Sequence, residues 1–284
     1  MRHTTLILIS IPMFACQVEN KLYDINRQAI EGECNLESTP FVPESDKPIA
    51  VCDANRQQMA PLRDSAELFG INSYDPNDLD LIDYNWKLIE RPTGSSLSMV
   101  EENSSNRMFT PDLAGEYVFE LVVTNEECVL SDPCQFSIEA TPAEDLWIEL
   151  SWEHSGDDLD LHLIRNGSRF ESEGDCYYGN CIAELESLDW GTGGFLDDNP
   201  RLDLDDIDGV GPENINIVEP DQGSYTVMIH DYPGSEYNGE NTALIKIHLA
   251  GELALEKSIV ISGEDSKTEI ANIYWPSLEV ESLQ

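Results

Sequence analysis

The chain has 284 residues, enough for two ordinary domains, and 40% of them are hydrophobic, which is enough to build cores. It carries 56 Asp and Glu against 15 Lys and Arg, a formal net charge of −41. Such a surface repels phosphate; this excludes nucleic acid as a partner and makes divalent cations the natural counter-ions, although the same charge also keeps an exported protein dispersed.

At the N-terminus, Arg2 precedes an apolar run from Leu6 to Ala15. That run is too short to span a bilayer and suits the hydrophobic region of an export signal. Met13-Phe14-Ala15-Cys16 resembles the lipobox of bacterial lipoproteins, with Met where Leu is usual and a bulky Phe14. The resemblance implies a signal peptide over 1–15, lipidation of Cys16 and a membrane partner reached through that anchor. Gln17 stands where inner-membrane lipoproteins commonly carry Asp, which implies the outer membrane or cell surface. Residues 16–48 are polar and broken by Pro40, Pro43 and Pro48, the composition of a tether.

With Cys16 set aside, six cysteines remain: Cys34, Cys52, Cys128, Cys134, Cys176 and Cys181. An even number in an exported chain reads as disulfides, and no CxxC spacing suggests a zinc cluster. Six cysteines allow many connectivities; pairing nearest neighbours gives Cys34–Cys52, Cys128–Cys134 and Cys176–Cys181.

From 49 to 141 short alternating segments, Tyr84–Ile89 and Tyr117–Val123, are separated by turn residues such as Asp75-Pro76-Asn77 and Arg91-Pro92-Thr93-Gly94. This predicts a β-sandwich. The blocks SYDPNDLDLIDYNWKLIERPTGSS and FTPDLAGEYVFELVVTN resemble a PKD-type, immunoglobulin-like domain. The resemblance implies a spacer or adhesion module, with Trp86 in the core. Asp75, Asn77, Asp78 and Asp80 read as a solvated turn, with a cation site as the alternative.

After a short linker, residues 146–278 alternate again over Leu146–Trp152, Asp158–Leu163, Tyr225–His230 and Ala243–Leu249, and Ala250-Gly251 reads as a hairpin turn. The expected fold is therefore all-β: two tandem sandwiches, the second larger and jelly-roll-like. In a strand, Leu159, Leu161 and Leu163 enter the core, while Asp158, Asp160 and His162 share the opposite face. Arg201-Leu202-Asp203-Leu204-Asp205 repeats that grammar and runs into Asp206-Ile207-Asp208-Gly209-Val210-Gly211-Pro212-Glu213. Two acid-bearing strands and an Asp/Gly turn suit calcium, which takes six to eight oxygens. The candidate ligands are Asp158, Asp160, Asp203, Asp205, Asp206 and Asp208. Registering Gly209 as the glycine of an EF-hand puts Leu204 and Ile215 where the first and last ligands belong, so the segment is no EF-hand.

The motifs LSWEHSGDDLDLHLIRNG, DWGTGG, DDNPRLDLDDIDGVGPENINI and GSYTVMIHDY resemble a domain recurrent in bacterial surface lipoproteins, often beside PKD-type domains. Asn199 interrupts its usual D-D-P run. The resemblance implies location and fold more than activity. No HExxH, G-x-S-x-G or P-loop occurs, so no enzyme is expected; a metal-dependent hydrolase using His162 and Asp160 is the remote alternative. The reading is a non-catalytic binding, adhesion or scaffold module with a structural Ca2+ and an extracellular protein or polysaccharide as partner. A calcium-dependent carbohydrate binder is the alternative, using aromatic loops with Trp190, Tyr177, Tyr178 and Tyr232. Exposed aromatics would favour that alternative; buried tryptophans would favour protein contact or scaffolding.

Overall fold

The computed structural model describes residues 47–100, 102–182 and 188–283. The expected signal peptide, the lipidated Cys16, Cys34 and all but the end of the tether lie outside them. Among the described residues every regular element is a β-strand.

The first unit contains β1 (Asp53–Ala54), β2 (Gln58–Met59), β3 (Ala66–Phe69), β4 (Leu81–Glu90), β5 (Asn106–Phe109), β6 (Gly115–Asn125) and β7 (Cys134–Ala140). A three-stranded sheet, β1-β3-β5, faces a four-stranded one, β2-β7-β6-β4, as in an immunoglobulin-like sandwich. Along β6, alternate residues Tyr117, Phe119, Leu121 and Val123 point into the core. Trp86 joins them, edge-on to Phe136 at 6.2 Å. The Tyr117 hydroxyl donates to Asp112 Oδ1 at 2.7 Å and accepts from Leu113 N at 3.0 Å, which ties the entry of β6 to the turn before it. Asp75 accepts from Asn77 N and from Asn125 Nδ2, so this acid is occupied in shaping its turn.

The second unit contains β8 (Leu146–Trp152), β9 (Leu159–Arg165), β10 (Asp175–Cys176), β11 (Arg201–Leu204), β12 (Glu213–Ile217), β13 (Gly223–Asp231), β14 (Asn241–Leu249), β15 (Glu252–Ile261), β16 (Lys267–Trp275) and β17 (Glu279–Ser282). Two five-stranded antiparallel sheets, β10-β9-β13-β16-β17 and β11-β12-β8-β14-β15, pack face to face. Leu159, Leu161 and Leu163 meet Ile148, Leu150, Ile215 and Ile245 in the core between them.

The outer faces of the central strands are covered as well. On β8 and β14, Trp147, Glu149, Ser151, Lys246 and His248 are buried. Glu149 Oε1 accepts from Ala114 N at 2.7 Å, and Lys246 Nζ donates to Thr93 O at 3.1 Å.

The expected cysteine pairing is corrected in part. Cys52 bonds to Cys134, with Cα atoms 5.8 Å apart, in place of Cys34–Cys52 and Cys128–Cys134. The reason is topological: Ile49 bridges Asp132 in parallel, so the segment after Ile49 runs alongside the segment entering β7. Cys128 is disulfide-bonded too. Cys176–Cys181 forms as a local loop, closed by Cys181 N donating to Tyr177 O at 3.0 Å.

Candidate metal centre

The acids of the DLDLH segment meet those of the Asp-rich loop at one edge of the second sandwich. β10 pairs with β9 only at Leu163 and Ile164, which leaves the N-terminal half of β9 without a strand on that side. Glu213, at the head of β12 in the opposite sheet, closes the gap: its Oε2 accepts from Leu161 N at 2.6 Å. Alternation along Glu213-Asn214-Ile215-Asn216-Ile217 explains why. Ile215 and Ile217 point into the core, and Glu213 shares their inward face.

Asp158, Asp160 and Glu213 each offer a carboxylate oxygen, and these atoms lie within 4.8 Å of one another. Glu213 is 1% exposed and Asp160 3%, while Asp158 is half-buried. Asp158 Oδ1, Asp160 Oδ2 and Glu213 Oε1 are buried with no N–H or O–H donor among the described residues. A buried carboxylate oxygen without a partner carries a desolvation cost of several kcal/mol unless a proton or a cation meets it. The electrostatics agree. Burial, then the neighbouring Asp160, Asp205, Asp157 and Asp206, push the Asp158 carboxyl up to about 7. Burial and then Asp160 hold Glu213 well above the usual carboxylate range. Asp205 is raised by burial and Asp160 while its contact with Glu213 pulls it down, so it belongs at the rim of the cluster.

The other expected ligands serve the loop. Asp206 accepts from Gly209 N at 3.0 Å and Gly211 N at 2.7 Å, which folds the turn. Asp203 is exposed and accepts from Asn216 Nδ2 at 2.8 Å, on the outer face of its sheet. Asp208 is exposed, and its backbone oxygen accepts from Gly156 N. The cluster is therefore Asp158, Asp160 and Glu213 with Asp205 beside them, and Asp203 and Asp208 stand outside it. Glu213 escaped the sequence reading although its signal was present, as an acid in phase with two inward isoleucines.

The aromatic candidates divide. Trp190 is 2% exposed, in the core, with its indole N–H on Glu173 O at 2.9 Å and its ring stacked on Tyr225. The Arg165 guanidinium lies over its ring at 5.4 Å. Tyr177, Tyr178 and Tyr232 instead gather over the outer face of β9 and β13. Tyr177 stacks on His162 at 5.2 Å, Tyr178 meets Tyr232 edge-on at 5.7 Å, and Tyr232 is 39% exposed.

No family model matches the chain. Among solved structures it is similar to the PKD domain from KIAA 1837 protein, at 27% identity over 36% of this chain and 90% of that one, with a TM-score of 0.25. It is also similar to a structure described under the promiscuous specificity of carbohydrate-binding modules from the β-sandwich superfamily. That match has 12% identity over 82% of this chain and 86% of that one, with a TM-score of 0.30. At these TM-scores neither likeness carries an argument about function.

Proposed function

We propose that this chain is a non-catalytic binding or scaffold module of the cell surface, anchored through Cys16, whose second sandwich holds a structural calcium ion. The ligands are Asp158, Asp160 and Glu213, with Asp205 at the rim. One observation carries the reading: three buried carboxylate oxygens converge without a donor. A hard divalent cation satisfies all three at once and cancels their repulsion. Because Glu213 belongs to one sheet and the two aspartates stand at the start of β9 in the other, the ion clamps the sandwich where β9 has no pairing strand on that side. The tryptophans favour protein contact over sugar: Trp86, Trp147, Trp152 and Trp190 are buried and Trp275 is half-buried. Calcium-dependent polysaccharide binding remains the second reading, supported by Tyr232 and Tyr178 beside the acids.

A thermal melt of the full oxidised chain tests the ion. Calcium at about 100 times its Kd stabilises by about 2.7 kcal/mol, a rise of roughly 5–10 °C over the chelated protein. Magnesium gives less, and Glu213→Gln removes the rise. Equal melts with calcium and chelator would overturn the reading.

A further inference from the structure

A second set of donors converges on the same Asp160 carboxylate. β9 and β13 are antiparallel neighbours with Asp160 opposite His230 and His162 opposite Met228, so Asp160, His162 and His230 share one sheet face. Sequence alternation places that face in solvent, yet all three side chains are buried. Phe170 and Tyr177 stack on His162, and Phe170 and Tyr232 meet His230 edge-on.

Each histidine has one nitrogen engaged by a carboxylate and the other left over. His162 Nδ1 lies 2.8 Å from Asp175 Oδ2, an oxygen that also accepts from Glu171 N. Asp175 is therefore the acceptor, Nδ1 carries the proton, and Nε2 keeps a lone pair. His230 Nε2 lies 3.1 Å from Asp265 Oδ1, which Lys267 also binds, and this leaves Nδ1. The leftover atoms are His162 Nε2, His230 Nδ1 and Asp160 Oδ2, all buried and without a hydrogen-bond partner among the described residues. The three residues offer ligand atoms within 4.8 Å of one another. His230 Nδ1 and Asp160 Oδ2 are 3.6 Å apart, beyond a hydrogen bond. Two donors each about 2.1 Å from a tetrahedral zinc stand about 3.4 Å apart, so the spacing suits an ion between them.

We propose that Asp160, His162 and His230 form a transition-metal site of the zinc class that adjoins the calcium cluster and shares with it one bridging oxygen, Asp160 Oδ2. Two imidazoles and one carboxylate select such an ion over calcium or magnesium. Asp175 and Asp265 are positioning residues: by accepting from the far nitrogen they fix each ring's tautomer and raise the basicity of the nitrogen that faces the ion.

The test is zinc binding to the full chelator-stripped chain, by competition with a chromophoric chelator, with Co2+ as spectroscopic probe. One tight equivalent is expected, together with an intense visible Co2+ band of low coordination number. His230→Ala abolishes both, and Asp175→Asn, which keeps the packing, weakens zinc by about 10- to 100-fold. Glu213→Gln removes the calcium response and leaves the Co2+ band, so failure of one site is distinguishable from failure of the other. Zinc that binds only weakly, or equally well to His230→Ala and Asp175→Asn, would assign the metal to surface acids. It would leave His230 as a protonated bridge between Asp160 and Asp265, and the proposal would be overturned. If His230→Ala fails to fold, Asp175→Asn and the Co2+ spectrum of the unmodified chain decide.

Discussion

Asp160 is where two donor sets meet: the carboxylates of Asp158 and Glu213, and the imidazoles of His162 and His230. Its neighbours in sequence, Leu159 and Leu161, are core residues, so the carboxylate is held by a strand that cannot shift without opening the sandwich. A different residue is held against its own preference. Ala250 takes φ 49 at the first position of the two-residue turn joining β14 to β15, with Gly251 at φ 82. Left-handed backbone costs an alanine about 1–2 kcal/mol, and Asn tolerates it better. Ala250→Asn, at an exposed site whose N–H to Asp145 O is retained, should raise the Tm by roughly 2–4 °C for about 1 kcal/mol, as read by calorimetry.

At the scale of elements, alternation made β8, β13 and β14 legible to within two residues at either end, and it assigned the leucines of β9 to the core. It failed wherever a second layer covers a face. The outer face of β9 looks solvent-bound in sequence because the aromatic cover, Phe170, Tyr177 and Tyr178, comes from a loop whose path the strand does not encode. Trp190, beside three glycines in DWGTGG, reads as an exposed loop aromatic; the neighbours that bury it, Arg165 and Tyr225, are remote in sequence. The disulfides failed for a related reason. Proximity along the chain favoured Cys128–Cys134, whereas Cys52 reaches Cys134 because two distant segments run side by side. Of the acid cluster only Glu213 was missed: the aspartates announce themselves by density, and Glu213 only by its phase.

For the whole molecule, the contact between the two units is where acidity meets burial. Burial pushes the Glu149 carboxyl up to about 7 from its ordinary 4.5, although Ala114 N, Trp147 Nε1 and Lys246 all favour its ionised form. The folded chain then holds this proton more tightly than the unfolded one. Its stabilising effect is complete below about 4.5 and is lost as pH climbs toward 7, amounting to roughly 3 kcal/mol. His248, pushed down to about 4 by burial and then by Lys246, has the opposite slope, so the native profile alone masks the effect. The difference in Tm between Glu149→Gln and the parent isolates it. The variant should gain on the parent by several degrees from pH 5 to pH 8; a pH-independent difference would mean that Glu149 does not titrate there.

The Cys52–Cys134 bond bears on how the molecule fails. It joins cysteines 82 positions apart and encloses nearly the whole first unit, including the segment around Val100, which is 73% exposed. A protease that cuts there separates two polypeptides without releasing either one. The half carrying the N-terminus stays bolted to the half carrying the second sandwich, and the two part on a gel only after reduction. A nicked molecule would therefore keep its two sandwiches joined, and only a cut outside the bolted loop would part them.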